Sequence, residues 1–69
     1  MTELALQVNG ESRRVPAPAT VQDLLDRLGL DGRGVVVELN RRIVRRPEHS
    51  NTPLQDGDAV ELVHFVGGG

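Results

Sequence analysis

The segment Thr20-Val21-Gln22-Asp23-Leu24-Leu25-Asp26-Arg27-Leu28-Gly29 is the best-specified element of the chain. Its apolar residues recur at i, i+3, i+4 and i+7, which predicts an amphipathic helix with one apolar stripe that must lie on a sheet. Thr20 is a good N-cap, and Asp23 three residues later resembles a capping box. Gly29 suits the C′ position that ends a helix. The predicted stripe consists of Val21, Leu24, Leu25 and Leu28.

A hairpin is predicted before this helix. Apolar residues alternate with more polar ones over residues 3–8, which is the period of a half-buried strand. Asn9-Gly10 favours a tight turn because both residues tolerate positive φ. Residues 11–15 then return as a strand polar enough to lie at the edge of a sheet.

Three further strands are predicted after the helix. Residues 35–39 are nearly all apolar, as in a central strand. Ile43-Val44 forms a short strand, and residues 59–66 form the last one. The connections at 31–34 and 45–53 are expected to be a plain loop and an irregular polar segment.

The order of elements is ββαββ in outline, which predicts an α+β fold. One helix packed across one face of a four- to five-stranded mixed sheet accounts for the apolar faces and is the ubiquitin-like β-grasp outline. The first and last strands would be central and parallel. We expect residues 1–66 to form this domain and residues 67–69 a flexible Gly-Gly-Gly tail.

Side-chain parity in the last strand predicts an apolar patch on the outer face of the sheet. Charged Glu61 has to face water, so Val60 and Leu62 point to the core and the apolar odd-numbered residues share the outer face with Glu61. Exposed apolar residues of this kind mark partner-binding sites. The alternative is that Phe65 folds back over the rim of the sheet. The predicted partner-binding residues are Val36, Val63 and Phe65.

Composition argues against several classes of function. The chain of 69 residues carries a net charge of −2 and has one aromatic residue, so nucleic-acid binding is not expected. No apolar run approaches the roughly 20 residues of a membrane span, and the first residues do not resemble a signal peptide. A cytoplasmic protein that does not bind membranes is therefore expected.

All eight basic residues are arginines, and six of them stand in the pairs Arg13-Arg14, Arg41-Arg42 and Arg45-Arg46. One interpretation is a solvated rim on strand ends and loops. The other is a docking patch for an acidic partner, because the planar guanidinium pairs carboxylates bidentately.

The sequence offers little for catalysis. There is no Cys, there are only two His, and Ser12 and Ser50 have no evident partners. His49 beside Glu48 is interpreted as a surface pair in a loop, with Leu54 as the one anchor of that region in the core. His64 is interpreted as a structural residue at the end of the sheet, with a general base as the alternative. We therefore expect no enzyme activity, no metal site and no cofactor.

Four segments together resemble a known family. The resemblance runs nearly end to end, and its C-terminal block is the specific part; residues 45–53 depart from it by lacking an aromatic residue often found there. The segments are Val8-Asn9-Gly10-Glu11, Thr20-Val21-x-x-Leu24-Leu25, Val36-Val37-x-Leu39-Asn40 and residues 56–69. On these residues the chain resembles the ThiS sulfur carrier proteins of bacterial thiamin biosynthesis.

The resemblance implies a protein substrate of other enzymes. A ThiF-like ATP-dependent enzyme would adenylate the terminal carboxylate of Gly69, and a sulfur donor system would convert the acyl adenylate to a thiocarboxylate. A ThiG-like thiazole synthase would then take the sulfur for the thiazole ring. Gly67 and Gly68 would form the segment that threads into the partner, because glycine is narrow and the activating site must exclude water.

Three alternatives remain open at this stage. The small subunit of molybdopterin synthase shares the fold and the thiocarboxylate chemistry. A second alternative is a sulfur carrier for another pathway, or a protein modifier. The third is a non-covalent β-grasp adaptor whose terminal glycines are incidental.

Overall fold

The computed structural model describes residues 2–64, in which a five-stranded mixed sheet carries one α-helix on one face. Two short 3-10 helices lie in the connections at Gly32–Gly34 and Arg46–Asn51. The main elements are β1 (Glu3–Val8), β2 (Glu11–Pro16), α1 (Val21–Leu28), β3 (Val35–Leu39), β4 (Arg42–Val44) and β5 (Ala59–His64).

The strands lie in the order β2-β1-β5-β3-β4. β5 runs parallel to β1 and antiparallel to β3, and the remaining neighbours are antiparallel. The predicted hairpin forms at Asn9 and Gly10, whose φ angles are 51° and 83°. The predicted β-grasp arrangement is confirmed, with the first and last strands central and parallel and β2 at one edge.

The helix begins and ends where the sequence predicts. The Thr20 hydroxyl accepts from the Asp23 amide at 3.2 Å, and the Asp23 carboxylate accepts from the Thr20 amide at 2.8 Å, which completes the capping box. At the other end Gly29 has a φ of 71°, and the Leu30 amide donates to the Leu25 carbonyl at 2.9 Å. This bond and the left-handed conformation of Gly29 are those of a Schellman motif, which satisfies carbonyls that the helix leaves unpaired.

The core lies between the helix and the inner face of the sheet. Side chains of the helical stripe pack against alternating residues of β1, β3 and β5, as the period-2 pattern requires. Leu62, Leu39 and Leu28 are only partly buried at its margin. The fully buried apolar side chains include Leu6, Val21, Leu24, Leu25, Val37 and Val60.

The interpretation of residues 45–53 as an irregular polar segment is wrong. Arg46–Asn51 forms a 3-10 helix, which turns His49 inward until it is only 1% exposed. Its Nε2 atom lies 3.1 Å from the Val44 carbonyl oxygen. The prediction of His49 as a surface residue is therefore overturned, and Leu54 shares its anchoring role with the histidine. The backbone carbonyl satisfies one ring nitrogen of the buried His49, whereas Nδ1 has no hydrogen-bond partner among residues 2–64.

The loop at residues 31–34 also contains a short 3-10 helix. The Asp31 carboxylate accepts from the Arg33 backbone amide at 2.9 Å and so caps the turn. The prediction of a plain loop is wrong in this detail, because an Asp side chain can bond a backbone amide two residues onward and fold the loop locally.

Candidate functional site

The candidate site is centred on β5, the strand that precedes the predicted tail. It lies between β1 and β3 and ends, within the described part of the chain, at His64. The predictions for Phe65, Gly67, Gly68 and Gly69 lie outside the described residues. The part of the candidate site that the structure describes is therefore the surface that β5 forms with its neighbours, up to His64.

The C-terminal half of β5 is held by a side chain from the first hairpin. The Asn9 side-chain amide donates to the Leu62 carbonyl oxygen at 3.2 Å, and its oxygen accepts from the Leu62 amide at 2.7 Å. The Asn9 backbone amide donates to the Val60 carbonyl at 2.9 Å. Asn9 thus continues the parallel β1–β5 pairing past the end of β1.

A second asparagine holds the start of the same strand. The Asn40 side chain accepts from the Ala59 amide at 2.9 Å and donates to the Asp58 carboxylate at 3.0 Å. Its backbone amide donates to the Ala59 carbonyl at 2.8 Å. The sequence analysis predicts neither the Asn9 nor the Asn40 contacts to β5. It predicts Asn9-Gly10 only as a turn, although the side chain of an asparagine in a turn can also bond a neighbouring strand.

Two of the predicted partner-binding residues meet on the outer face of the sheet. Val36 and Val63 are directly opposite each other in the β3–β5 pairing. Val63 is 51% exposed and Val36 is half-buried. The structure thus brings this part of the predicted apolar patch together, whereas partner binding itself stays a prediction.

A third apolar residue of this face was missed. Ile43 of β4 is 65% exposed and pairs with Glu38 of β3, which pairs in turn with Glu61 of β5. Parity in the short strand could have placed Ile43 on the outer face with Glu38. We call Val36, Glu38, Ile43, Glu61 and Val63 the outer-face patch.

The opposite face carries a groove beside the end of β5. The groove has a volume of about 320 Å³, and its apolar walls come from Val8, Leu28, Leu30 and Leu62. His64 stands at its rim and is exposed. Its structural role at the end of the sheet, and the alternative role as a general base, both stay predictions.

The arginine pairs are all exposed. Arg14 lies 3.8 Å from Glu3, and a further arginine, Arg33, binds Asp31 at 2.8 Å. Hydrogen bonds from the Arg33 side chain and backbone lower the pKa of Asp31 from 3.8 to about 2, and the same pairing raises the pKa of Arg33. The other arginines form no ion pair with residues 2–64, so a solvated rim and a docking patch for an acidic partner both remain open for them.

Between residues 2 and 64, His, Asp and Glu side chains form no group of three or more that could hold a metal ion. No helix in this described range is long and apolar enough to cross a membrane.

Known proteins share both the sequence and the fold. The model of the ThiS family matches residues 6–69. The sulfur carrier protein ThiS of Bacillus subtilis is 40% identical over 65 residues, which make up 93% of this chain and 98% of that protein. A thiazole synthase of Paramagnetospirillum magneticum is 44% identical over 66 residues, or 96% of this chain, but the chain spans only 20% of that protein's length.

A solved structure agrees with the sequence matches. The crystal structure of the thiamine biosynthesis protein ThiS from Geobacter metallireducens superposes with a TM-score of 0.80 at 38% identity, covering 96% of this chain and 100% of that one. The five-stranded mixed sheet and its single main helix are thus those of a known β-grasp protein. With its sequence matched from residue 6 to residue 69 and its fold shared, the chain belongs to the ThiS family.

Proposed function

We propose that this protein is a sulfur carrier of thiamin biosynthesis, which other enzymes load and unload at Gly69. The observation that carries the proposal is the family match over residues 6–69, because it includes the glycines that the chemistry requires. The Bacillus subtilis relative, which the chain covers almost completely, is named a sulfur carrier protein, and the Geobacter metallireducens structure is that of a thiamine biosynthesis protein. The chain acts as a protein substrate and supplies no catalytic side chain of its own.

The proposed chemistry takes place at the carboxylate of a C-terminal Gly69. A carboxylate oxygen attacks the α-phosphorus of ATP, pyrophosphate leaves, and an acyl adenylate forms. A sulfide-level nucleophile then attacks the acyl carbon, forming the C–S bond as the C–O bond to AMP breaks. Oxidation states do not change when the donor is inorganic sulfide, so this exchange needs no further reactant.

The sequence before Gly69 suits this chemistry. Gly67 and Gly68 lack side chains, so they can enter a channel narrow enough to keep water away from the acyl adenylate. Hydrolysis would waste the activated intermediate. The contacts of Asn9 and Asn40 to β5 also support the proposal, because they hold in place the strand that precedes Gly67 and Gly68 in the sequence.

Two partner enzymes follow from the proposal. A ThiF-like enzyme adenylates Gly69, and a ThiG-like thiazole synthase takes the sulfur. The second partner is supported by the Paramagnetospirillum magneticum relative, a thiazole synthase that contains a segment similar to this chain. We propose that Val36, Val63 and Phe65 contact one or both enzymes while the tail is engaged.

Intact-mass measurement tests the proposal. The protein ending at Gly69 is incubated with a ThiF-type enzyme, ATP and inorganic sulfide, and we expect the mass change of one sulfur-for-oxygen exchange. A chain truncated to end at Gly68 serves as the control and should fold normally without accepting sulfur. An unchanged mass of the full chain, with an enzyme that loads its own carrier, would contradict the proposal.

A complementation experiment separates thiazole synthesis from molybdopterin synthesis. The relatives' names favour the thiazole branch. We therefore expect the gene to restore growth of a strain that lacks its thiazole sulfur carrier. Rescue of a molybdopterin-deficient strain alone would assign the protein to the alternative pathway.

A further inference from the structure

We infer that Asn9 is a covalent modification site, at which the side chain deamidates by cyclising onto Gly10 once its contact with Leu62 opens. The product no longer holds the end of β5 on the side of β1. The inference goes beyond the proposed function and does not depend on it, because it follows from the hairpin turn and the Asn9–Leu62 contact alone.

The turn carries the two groups that this reaction needs. The Gly10 backbone nitrogen gives up its proton to solvent and attacks the side-chain carbonyl carbon of Asn9. A C–N bond forms, the bond from that carbon to the side-chain nitrogen breaks, and ammonia leaves, so that a cyclic succinimide remains. Water then adds to one of the two ring carbonyls and opens the ring to aspartate or isoaspartate. Water is the only co-reactant, and nothing is oxidised or reduced.

Gly10 makes this asparagine more reactive than the other two in the chain, Asn40 and Asn51. Glycine has no Cβ, so no side chain obstructs the approach of its nitrogen to the Asn9 side chain. Asn9 and Gly10 are both exposed, and no atom of residues 2–64 outside the turn lies within 4 Å of where a Cβ on Gly10 would stand, so water reaches the site. Asn40 has the same φ of 51° at the same position of a tight turn, but Arg41 follows it.

In the folded protein the contact with Leu62 holds the reacting carbon away from its nucleophile. The Asn9 side chain reaches sideways to β5, where it donates to the Leu62 carbonyl at 3.2 Å and accepts from the Leu62 amide at 2.7 Å. Gly10 leads the chain to β2, which lies on the opposite side of β1 from β5. The side chain must therefore break both hydrogen bonds and rotate before it can cyclise. Two such bonds reduce the reactive population about tenfold.

Deamidation removes the donor of this contact. A carboxylate at position 9 accepts hydrogen bonds but donates none, so the Leu62 carbonyl would face a negative oxygen. Isoaspartate routes the main chain through the former side chain, which lengthens a two-residue turn by one methylene. In both products β5 keeps its antiparallel pairing with β3. The expected result is a folded protein in which β5 is loosened around Leu62, on the side of β1.

Peptide mapping tests the reactivity of the site. The full chain is incubated at mildly alkaline pH, once folded in buffer and once unfolded in urea, and is then cleaved after arginine. Asn9 and Asn40 fall in separate fragments, residues 1–13 and 34–41, in which the mass gain of one amide-to-acid exchange is followed over time. We expect Asn9 to react faster than Asn40 in urea, and at least about tenfold more slowly in buffer than in urea. Equal rates at Asn9 and Asn40 in urea, or equal rates at Asn9 in buffer and urea, would overturn the inference.

Hydrogen exchange separates the local contact from the fold as a whole. Protection of the Leu62 amide gives the fraction of molecules in which the contact is open, and protection of the Leu25 amide in the helix gives the fraction that is globally unfolded. We expect the Asn9 rate in buffer, divided by its rate in urea, to match the open fraction from Leu62 and to exceed the fraction from Leu25. A ratio that matches Leu25 would show that the whole fold protects Asn9, and the role of the Leu62 contact would be wrong.

The variant Asn9→Asp, which is the aspartate product made directly, tests the consequence for β5. Its matched control is Asn51→Asp, which adds the same charge at an exposed asparagine of the 3-10 helix Arg46–Asn51. We expect the Leu62 amide to exchange about three- to tenfold faster in Asn9→Asp than in the wild type, with a smaller change at Leu25 and none at Leu62 in the control. An unchanged exchange rate of the Leu62 amide in Asn9→Asp would contradict the release of β5.

Discussion

The side-chain amide of Asn9 pairs with both backbone polar groups of Leu62, as a neighbouring strand would. It donates to the Leu62 carbonyl at 3.2 Å and accepts from the Leu62 amide at 2.7 Å. β1 ends at Val8, so without this side chain the Leu62 backbone would have no hydrogen-bond partner on that side among residues 2–64. One turn residue thus closes the first hairpin and fixes the strand that leads to the predicted tail.

We predict that Asn9→Gly lowers the free energy of unfolding by about 1–2 kcal/mol, because the two hydrogen bonds to Leu62 are lost. Asn9→Ala should cost about 1 kcal/mol more, since the backbone at this position has a φ of 51° and alanine disfavours that conformation. Urea unfolding measures both values. If Asn9→Gly unfolds with the same free energy as the wild type, the two hydrogen bonds make no net contribution to stability.

Hydrogen exchange gives a local check on the same contact. The Leu62 amide should lose protection in Asn9→Gly, whereas the Leu25 amide inside the helix should change only as far as global stability does. Equal changes at both amides would mean that Asn9 stabilises the whole fold without holding this end of β5.

We predict that His49→Ala destabilises the protein by about 2–4 kcal/mol, because it empties a site that is 99% enclosed by the fold. The control is Glu48→Ala, an exposed neighbour on the same 3-10 helix, which should change stability by no more than about 0.5 kcal/mol. Thermal unfolding of the two variants decides the point. Equal, small effects would return His49 to the surface position expected from the sequence.

The helix was predictable because its determinants are local. Thr20, Asp23 and Gly29 act within one turn of the helix ends, so their roles can be inferred from spacing alone. The alternation in β1 and the parity of β5 likewise follow from period 2, which is why the inner and outer faces were assigned correctly around Glu61.

The parts that could not be predicted depend on contacts between distant residues. Asn9 and Leu62 are 53 positions apart, and nothing in a turn sequence states which strand will lie beside it. His49 is buried because the 3-10 helix brings its ring to the Val44 carbonyl, a contact that hydrophobic patterning does not encode. Ile43 is a different case: parity within β4 could have placed it on the outer face, but a strand of three residues gives only a weak alternation signal.

We predict that Asp31 contributes to stability only above about pH 2. Its pKa is lowered from 3.8 to about 2, chiefly by the hydrogen bonds from Arg33. Between these two values the Asp31 carboxyl is ionised in the folded state but protonated in the unfolded state. The stabilisation is complete above about pH 4 and is lost as pH falls from about 4 to about 2. Asp31→Asn should therefore be less stable than the wild type at pH 6, with the difference shrinking across this window.

Two variants separate the charge of Asp31 from its role in capping the 3-10 turn. Asparagine can still accept the Arg33 backbone amide, so Asp31→Asn removes the charge while keeping the 3-10 turn. Arg33→Gln should raise the pKa of Asp31 towards 3.8 in an NMR titration. A titration midpoint for Asp31 that is the same in wild type and Arg33→Gln would remove Arg33 as the cause.

The two faces of β5 provide a final prediction that separates folding from docking. Val60 is 1% exposed on the inner face and Val63 is 51% exposed on the outer face, three residues further along the same strand. Val60→Ala should lower the free energy of unfolding by about 1.5–3 kcal/mol, whereas Val63→Ala should lower it by less than about 1 kcal/mol. The same substitution is thus made at matched positions that differ in burial.

Partner affinity should show the opposite order. Val63→Ala removes apolar surface from the outer-face patch and should weaken binding of the ThiF-type enzyme or the thiazole synthase about three- to tenfold, while folded Val60→Ala should bind as the wild type does. Calorimetry at a temperature where both variants are fully folded measures this. If Val63→Ala loses stability as Val60→Ala does and keeps its affinity for both enzymes, Val63 belongs to the packing of the sheet and the outer face has no docking role at this position.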